Sequence, residues 1–362
     1  MCFNIYKNKK IFITGHTGFK GSWLSLWLNL LGAKIYGYSL MPNTNPNHFK
    51  IINLQDKLAQ NYFADINDLK KLEDAMVESD PEIIFHLAAQ PLVRYSYKNP
   101  LETFQTNAMG TFNILNCARK LKSLKAIVII TTDKVYENKE WLWGYREDET
   151  LGGYDPYSAS KACAEIITNS MRQSFFNVEK FKQTHQVLIA SVRAGNVIGG
   201  GDWSEDRLIP DIIKGANESK TTIIRNPDSI RPWQHVLEPL CGYLALGEKL
   251  LKGEKEFATS FNFGPNNEGD LSVKNVLELA TSLWNKISYE ISVDLNAPHE
   301  ANLLMLDISK ARKILGWKPV LDSRLSIEWT IEWYKKFYEN KKILTEQQLQ
   351  KYGEKYHEKY FN

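Results

Sequence analysis

The chain has 362 residues, 43% apolar and 24% charged, with a net charge of +3. That length points to one large α/β unit or two closely packed lobes. So small a charge gives no reason to expect nucleic acid or an anionic membrane as a partner. The opening MCFNIYKNKK holds no apolar signal core, and no apolar run approaches the ~18 residues that a membrane span needs. A soluble, cytoplasmic protein is expected. Cys2, Cys117, Cys163 and Cys241 stand far apart with no CxxC, so reduced thiols are expected, with neither a disulfide framework nor a metal site.

In chain order, residues 10–14 (KIFIT) form an apolar run that ends at Gly15, and a helical pattern rich in Trp and Leu follows and stops at Gly32. Residues 33–38 (AKIYGY) read as a second strand, and 67–79 as a helix with Asn67 as its N-cap. Further strands are expected at 81–86, 126–130 and 187–192, with helices at 101–121 and 157–176. Short, almost wholly apolar strands separated by helices predict a doubly wound parallel α/β sheet covered on both faces, a Rossmann architecture. Past residue 195 the loops crowd with Gly, Pro, Asp and Trp, and short helices are expected near 273–287 and 308–315. Residues 1–195 are therefore assigned to a dinucleotide-binding unit, to which a segment at about 230–265 returns. Residues 196–340 are assigned mainly to a smaller substrate-binding lobe, and the polar stretch 341–362 to a peripheral helix or frayed tail.

The first strand runs into Gly15-His16-Thr17-Gly18-Phe19-Lys20-Gly21. Glycines so spaced between a strand and a helix permit a tight turn and close backbone approach to a pyrophosphate, which the helix N-terminus favours. The acid that usually holds the adenosine ribose after the second strand is missing, and Ser39 stands there with no arginine beside it. This favours NAD over NADP, held with modest affinity.

Tyr157 and Lys161 lie four apart on one helix face, where an ammonium would favour the phenolate and fit the tyrosine to take a proton from a sugar hydroxyl. Tyr6–Lys10 and Tyr338–Lys342 share the spacing and are read as solvated surface pairs. His16 and His86 are expected in structural hydrogen bonds, and Trp203 and Trp233 in the core of the small lobe.

Together the glycine loop, the HLAAQ stretch at 86–90, Asn107 and the Tyr157/Lys161 pair resemble the extended short-chain dehydrogenase/reductases. The segments GHTGFKGSWL (15–24), HLAAQPLVRYSY (86–97), TTDKVYEN (131–138), GGYDPYSASK (152–161), RAGNVIGGGDW (193–203) with DRLIPD (206–211), and RNPDSIRPWQHVLEPL (225–240) are similar, more narrowly, to the nucleotide-sugar 4,6-dehydratases acting on CDP-glucose. The likeness runs from about residue 9 to 335.

The resemblance implies a NAD-dependent cycle: oxidation at sugar C4, loss of water across C5 and C6, and return of hydride to C6. It implies a homodimer or homotetramer formed by helix pairing, and a place in deoxysugar synthesis for lipopolysaccharide or capsule. Asp65 and Ile66 would contact the adenine, and Leu87, Ala88, Ala89, Thr106 and Asn107 would line the cofactor groove. Thr132 would bond the C4 oxygen, and Asp133 would protonate the leaving C6 hydroxyl. Lys134 stands where sister enzymes carry a glutamate base. Asn196, Arg207 and Arg231 would hold the diphosphate, with Gln90, Arg94, Ser96, Leu208 and His235 as further substrate contacts. A dehydratase on a GDP-, dTDP- or UDP-sugar, a 4-epimerase, and a non-catalytic dinucleotide-binding regulator are the competing readings.

Overall fold

A computed structural model describes residues 3–266, 271–292 and 303–361. Six strands come first in the chain: β1 Lys10–Thr14, β2 Lys34–Ser39, β3 Gln60–Phe63, β4 Ile83–His86, β5 Ala126–Ile130 and β6 Leu188–Ala194. With the strand Ser260–Phe263 they form a seven-stranded sheet in the order (Ser260–Phe263)-β6-β5-β4-β1-β2-β3. Every pairing in it is parallel. β4, β5 and β6 are buried along their whole length, which is why they read as unbroken apolar runs. The order reverses between β1 and β4, so a crevice opens at their carboxyl ends.

The helices cover both faces. On one side, α1 (Phe19–Leu30), the helix Leu237–Leu251 and the helix Ser323–Asn340 share a single large core. On the other, Leu69–Ser79, Gly110–Ala118 and the helix Pro156–Ser174 enclose a second core. Among the described residues no helix is long and apolar enough to cross a membrane.

Several local expectations are corrected. The N-cap of the helix at 69–79 is Asp68, whose carboxylate accepts from Lys71 N, while Asn67 N donates to Asp65. The helical stretch at 101–121 is broken into Pro100–Phe104, a π-turn at Gln105–Met109, and Gly110–Ala118. Residues 308–315 hold a π-turn at Ala311–Leu315. Tyr6 is no surface tyrosine: it is fully buried and its hydroxyl donates to Leu244 O at 2.6 Å.

The polar stretch after residue 341 is a docked helix, Thr345–Phe361. Tyr352 is fully buried against Trp27, and Lys57 pairs with Glu346 at 2.8 Å. Glu238, at the start of the helix Leu237–Leu251 and 1% exposed, accepts from Val320 N, Leu321 N and the Tyr352 hydroxyl. Burial nonetheless pushes its carboxyl up to about 7. A raised acid stabilises the fold below its unfolded value near 4.5, and that contribution is lost as pH rises toward 7. Glu238→Gln is therefore expected to flatten the fall in melting temperature between pH 5 and 8, the two proteins diverging by about 1–3 kcal/mol. Parallel melting curves across that range would contradict it.

Candidate active site

The loop after β1 is built by close approach. Gly15 has φ 74°, and a Cβ on it would lie 2.7 Å from Ala88 N. A Cβ on Gly21 would lie 2.0 Å from Gly15 O, so the helix can sit this close to the strand only without side chains. A Cβ on Gly18, the N-cap of α1, would lie 3.4 Å from Gly15 O, and the first turn of α1 carries no acidic residue. The amide end of α1 is thus bare of protein anions and suits a phosphate.

Thr14 at the tip of β1 ties this loop to β4. Its hydroxyl accepts from Leu87 N and Ala88 N, both at 3.1 Å, and so donates to His86 Nδ1 at 2.7 Å. His86 Nε2 then donates to Thr111, whose hydroxyl donates to Asn107 O. This pattern requires a neutral imidazole, in keeping with burial holding His86 down at about 3. His16 is likewise structural, bonding Asn61 at 2.8 Å. At the end of β2, Thr17 Oγ1 donates to Leu40 O and accepts from Ser39, which leaves the Ser39 hydroxyl oxygen able to accept a further bond. Asp65 is exposed after β3, and Ile66 is buried beneath Gly110.

Tyr157 opens its helix just after Pro156, behind an Asp155 cap that accepts from both Ser158 N and Ser158 Oγ. The tyrosine is 8% exposed, and its phenol lies within hydrogen-bond reach of Thr132. Burial raises the phenol; Lys134, Thr132 and Arg207 oppose it, and Asp133 adds to it. Lys134 and Arg207 are the cations that act on it most strongly. Lys161 donates to Ile130 O at 3.1 Å and is pulled down to about 8 by burial, against the counter-effect of Glu165.

Thr132 and Asp133 are buried where β5 ends. Asp133 Oδ1 accepts from the Thr132 hydroxyl at 2.9 Å and from Lys134 Nζ at 3.1 Å. Arg207 precedes the helix Leu208–Glu218 and pairs with Asp202 at 2.7 Å. Burial works against its charge, but Asp202 outweighs this and holds the guanidinium above its ordinary range. Asp202 is itself fixed by Tyr334, whose hydroxyl donates to Asp202 O and accepts from Asp202 N. Arg94 lies nearby, 3.6 Å from Asp206. Lys20, half-buried on α1, is lowered to about 7, first by burial and then by Arg207, with Lys161 and Lys134 adding and Asp133 opposing. Lys20, Lys134, Lys161 and Arg207 thus act on one another at this end of the sheet, with Asp133 and Asp202 paired to two of them, an arrangement that fits anionic ligands.

Four expected ligand contacts turn inward. Asn107, 1% exposed, spends its amide on Gln90 N, Gln90 O and Ser160. Gln90 is engaged with Leu92 and Thr103. Ser96 is buried and accepts from Tyr157 N. All three are bonded to protein groups around the start of the Tyr157 helix. His235 is fully buried between Trp23 and Trp329, and burial lowers it to about 3, so a substrate cannot reach it. Thr106, Ala89, Asn196, Leu208 and Arg231 are partly exposed, and Arg231 lies in a short strand paired with Leu271. Trp203 and Trp233 pack in the core as expected, donating to Tyr338 and to Leu271 O.

Lys20→Met is expected to weaken binding of ADP about tenfold, or about 1.4 kcal/mol, without moving the melting temperature. Titration calorimetry showing native affinity would refute the role given to this amine.

Comparison with known proteins identifies the family and the fold. The chain is 48% identical, over 94% of each chain, to the CDP-glucose 4,6-dehydratase of Salmonella typhimurium. It is 26% identical to a dTDP-glucose 4,6-dehydratase of Shigella flexneri, over 90% of this chain and 92% of that one. Among solved structures, the fold matches the dTDP-glucose 4,6-dehydratase of Bacillus anthracis in complex with NAD, with a TM-score of 0.73 at 22% identity over 90% and 96% of the two chains. It also matches the UDP-glucose 4-epimerase of Thermotoga maritima with UDP-glucose, with a TM-score of 0.75 at 21% identity over 91% and 99%. The GDP-mannose 4,6 dehydratase family matches residues 12–328, and the chain belongs to that family.

Proposed function

We propose that the chain is a NAD-dependent nucleotide-sugar 4,6-dehydratase that converts CDP-glucose to CDP-4-keto-6-deoxyglucose. The observation that carries the reading is the Asp133–Lys134 pair, set beside Tyr157 where β5 ends. A 4-epimerase needs no acid and base for C5 and C6. The 48% identity to a CDP-glucose enzyme supports the choice of nucleotide and sugar.

The crevice fits a dinucleotide. Gly15 and Gly21 leave the backbone bare, the α1 N-terminus and Lys20 face the phosphates, and Ser39 offers an acceptor to the ribose. Bound there, the nicotinamide supplies a two-electron acceptor that is restored within each turnover. The protein's own residues handle the protons. Tyr157 takes the proton of the 4-hydroxyl while Thr132 bonds the same oxygen. The resulting 4-ketone acidifies C5, Lys134 takes the C5 proton, and Asp133 gives a proton to the departing C6 hydroxyl, which leaves as water. Arg207 and Arg231 suit the diphosphate, since guanidinium forks grip phosphate oxygens in pairs.

Asp133 Oδ1 and Lys134 Nζ lie 3.1 Å apart, and in the proposed cycle the acid needs its proton and the base its lone pair. Moving a single proton along the 3.1 Å hydrogen bond from Lys134 to Asp133 produces both working forms at once.

A homo-oligomer formed through helix pairing belongs to the same reading, supported by the exposed apolar side chains Leu101, Met109 and Ile166 on the helices near the site. A cytoplasmic location, and supply of deoxysugars for lipopolysaccharide or capsule, follow from the substrate proposed.

Incubation with CDP-, dTDP-, GDP- and UDP-hexoses is expected to give a product one water lighter from CDP-glucose. Turnover of another nucleotide sugar and not of CDP-glucose would overturn the assignment. Lys134→Ala is expected to lose deuterium uptake at C5 from heavy water while keeping part of the C4 oxidation; normal uptake would remove Lys134 as the base.

A further inference from the structure

We infer that Glu165, through its buried pair with Arg193, is a positioning residue that keeps the Lys161 amine charged and fixed one turn from Tyr157, an inference that rests on the reaction proposed above. Glu165 follows Lys161 by one helical turn and is 4% exposed. Its two oxygens meet four donors: Thr131 Oγ1 at 2.5 Å, Ser191 Oγ at 2.6 Å, Arg193 Nε at 3.0 Å and Arg193 Nη2 at 3.1 Å. Thr131 sits between Ile130, whose carbonyl anchors Lys161, and Thr132, which lies against the Tyr157 phenol. The same carboxylate therefore grips the strand end to which Lys161 is fastened.

The charges around Lys161 give Glu165 a second effect. From α1 the amine is faced by Lys20, a cation, and from β4 by His86, which is neutral. Glu165, on its own helix, is the anion that acts on it, and it opposes the burial that draws Lys161 down to about 8. Burial would also drive Glu165 toward its acid form, but Arg193, Ser191 and Thr131 hold it below its usual range, so the anion persists. Arg172, on the same helix, adds a further cation near Glu165. The Arg193 guanidinium is fixed in turn by the Tyr136 hydroxyl and by Glu147 O.

Removing Glu165 alone strands a buried guanidinium and endangers folding. The double variant Glu165→Gln/Arg193→Gln removes both charges and keeps hydrogen-bonding groups. Its Lys161 Nζ resonance, assigned by its loss in Lys161→Arg, is expected to titrate about one pH unit lower than in the unaltered protein. With CDP-glucose, the alkaline fall of kcat is expected to move by the same amount, while KM changes less than about twofold. Glu165→Asp and Arg193→Lys keep both charges while disturbing the packing, and are expected to leave both readings where they were. A native Lys161 titration in a cooperatively melting double variant would overturn the inference, as would a shifted one in the charge-keeping variants. Absence of turnover in the unaltered protein would count against the proposed reaction alone, since the resonance titrates without it.

Discussion

One carboxylate and one guanidinium, shut away from water, hold the working end of this sheet together. Glu165 and Arg193 are 4% and 3% exposed. Their partners come from β5, β6, the Tyr157 helix and, through Tyr136 and Asn262, the strand Ser260–Phe263. A buried pair of this kind contributes little net stability over well-packed apolar residues, but breaking it by removing one member costs about 3–5 kcal/mol. Its yield is definition. The strand ends that carry Thr132 and Asp133, and the helix that carries Tyr157 and Lys161, are locked in one relation before any ligand arrives.

On the other side of the crevice the logic is inverted. Glycine at positions 15 and 21 removes side chains so that strand, turn and helix can touch, and the polar groups there are spent on one another through Thr14, His86, Thr111 and Asn107. What remains open is a run of amides and a set of cations: Lys20, Lys134, Lys161 and Arg207. The small net charge of the whole chain hides this local surplus. A field of that sign favours ligands that carry phosphates.

The fully buried strands were legible because apolar runs mark strands covered on both faces, and the glycine loop because strand and helix frame it. The strand Gln60–Phe63 was not, since at the sheet edge its side chains are half-exposed and its sequence, QNYF, shows no apolar run. The direction in which the candidate site residues point was not legible. Asn107, Gln90, Ser96 and His235 are polar residues beside recognisable motifs, yet all four face protein. For His235 the reason lies in the helix Ser323–Asn340, which no sequence signal connected to it and whose Trp329 covers it. The same helix brings Tyr334 to Asp202 and so sets Arg207. The partnership of Glu165 and Arg193 was equally hidden, because nothing in a spacing of 28 residues pairs one polar side chain with another.

The hydrogen bond between Lys134 and Asp133 has a consequence for the pace of a catalytic cycle. Whether the proton rests on nitrogen or on oxygen, the two side chains together carry no net charge. In the proposed cycle the surrounding ammonium and guanidinium groups would therefore meet an unchanged total wherever that proton lay. No counterion has to enter, no neighbouring side chain has to swing to compensate, and water has no new ion to solvate. Changing from proton storage to proton delivery then needs only the movement of one light atom in an otherwise still site.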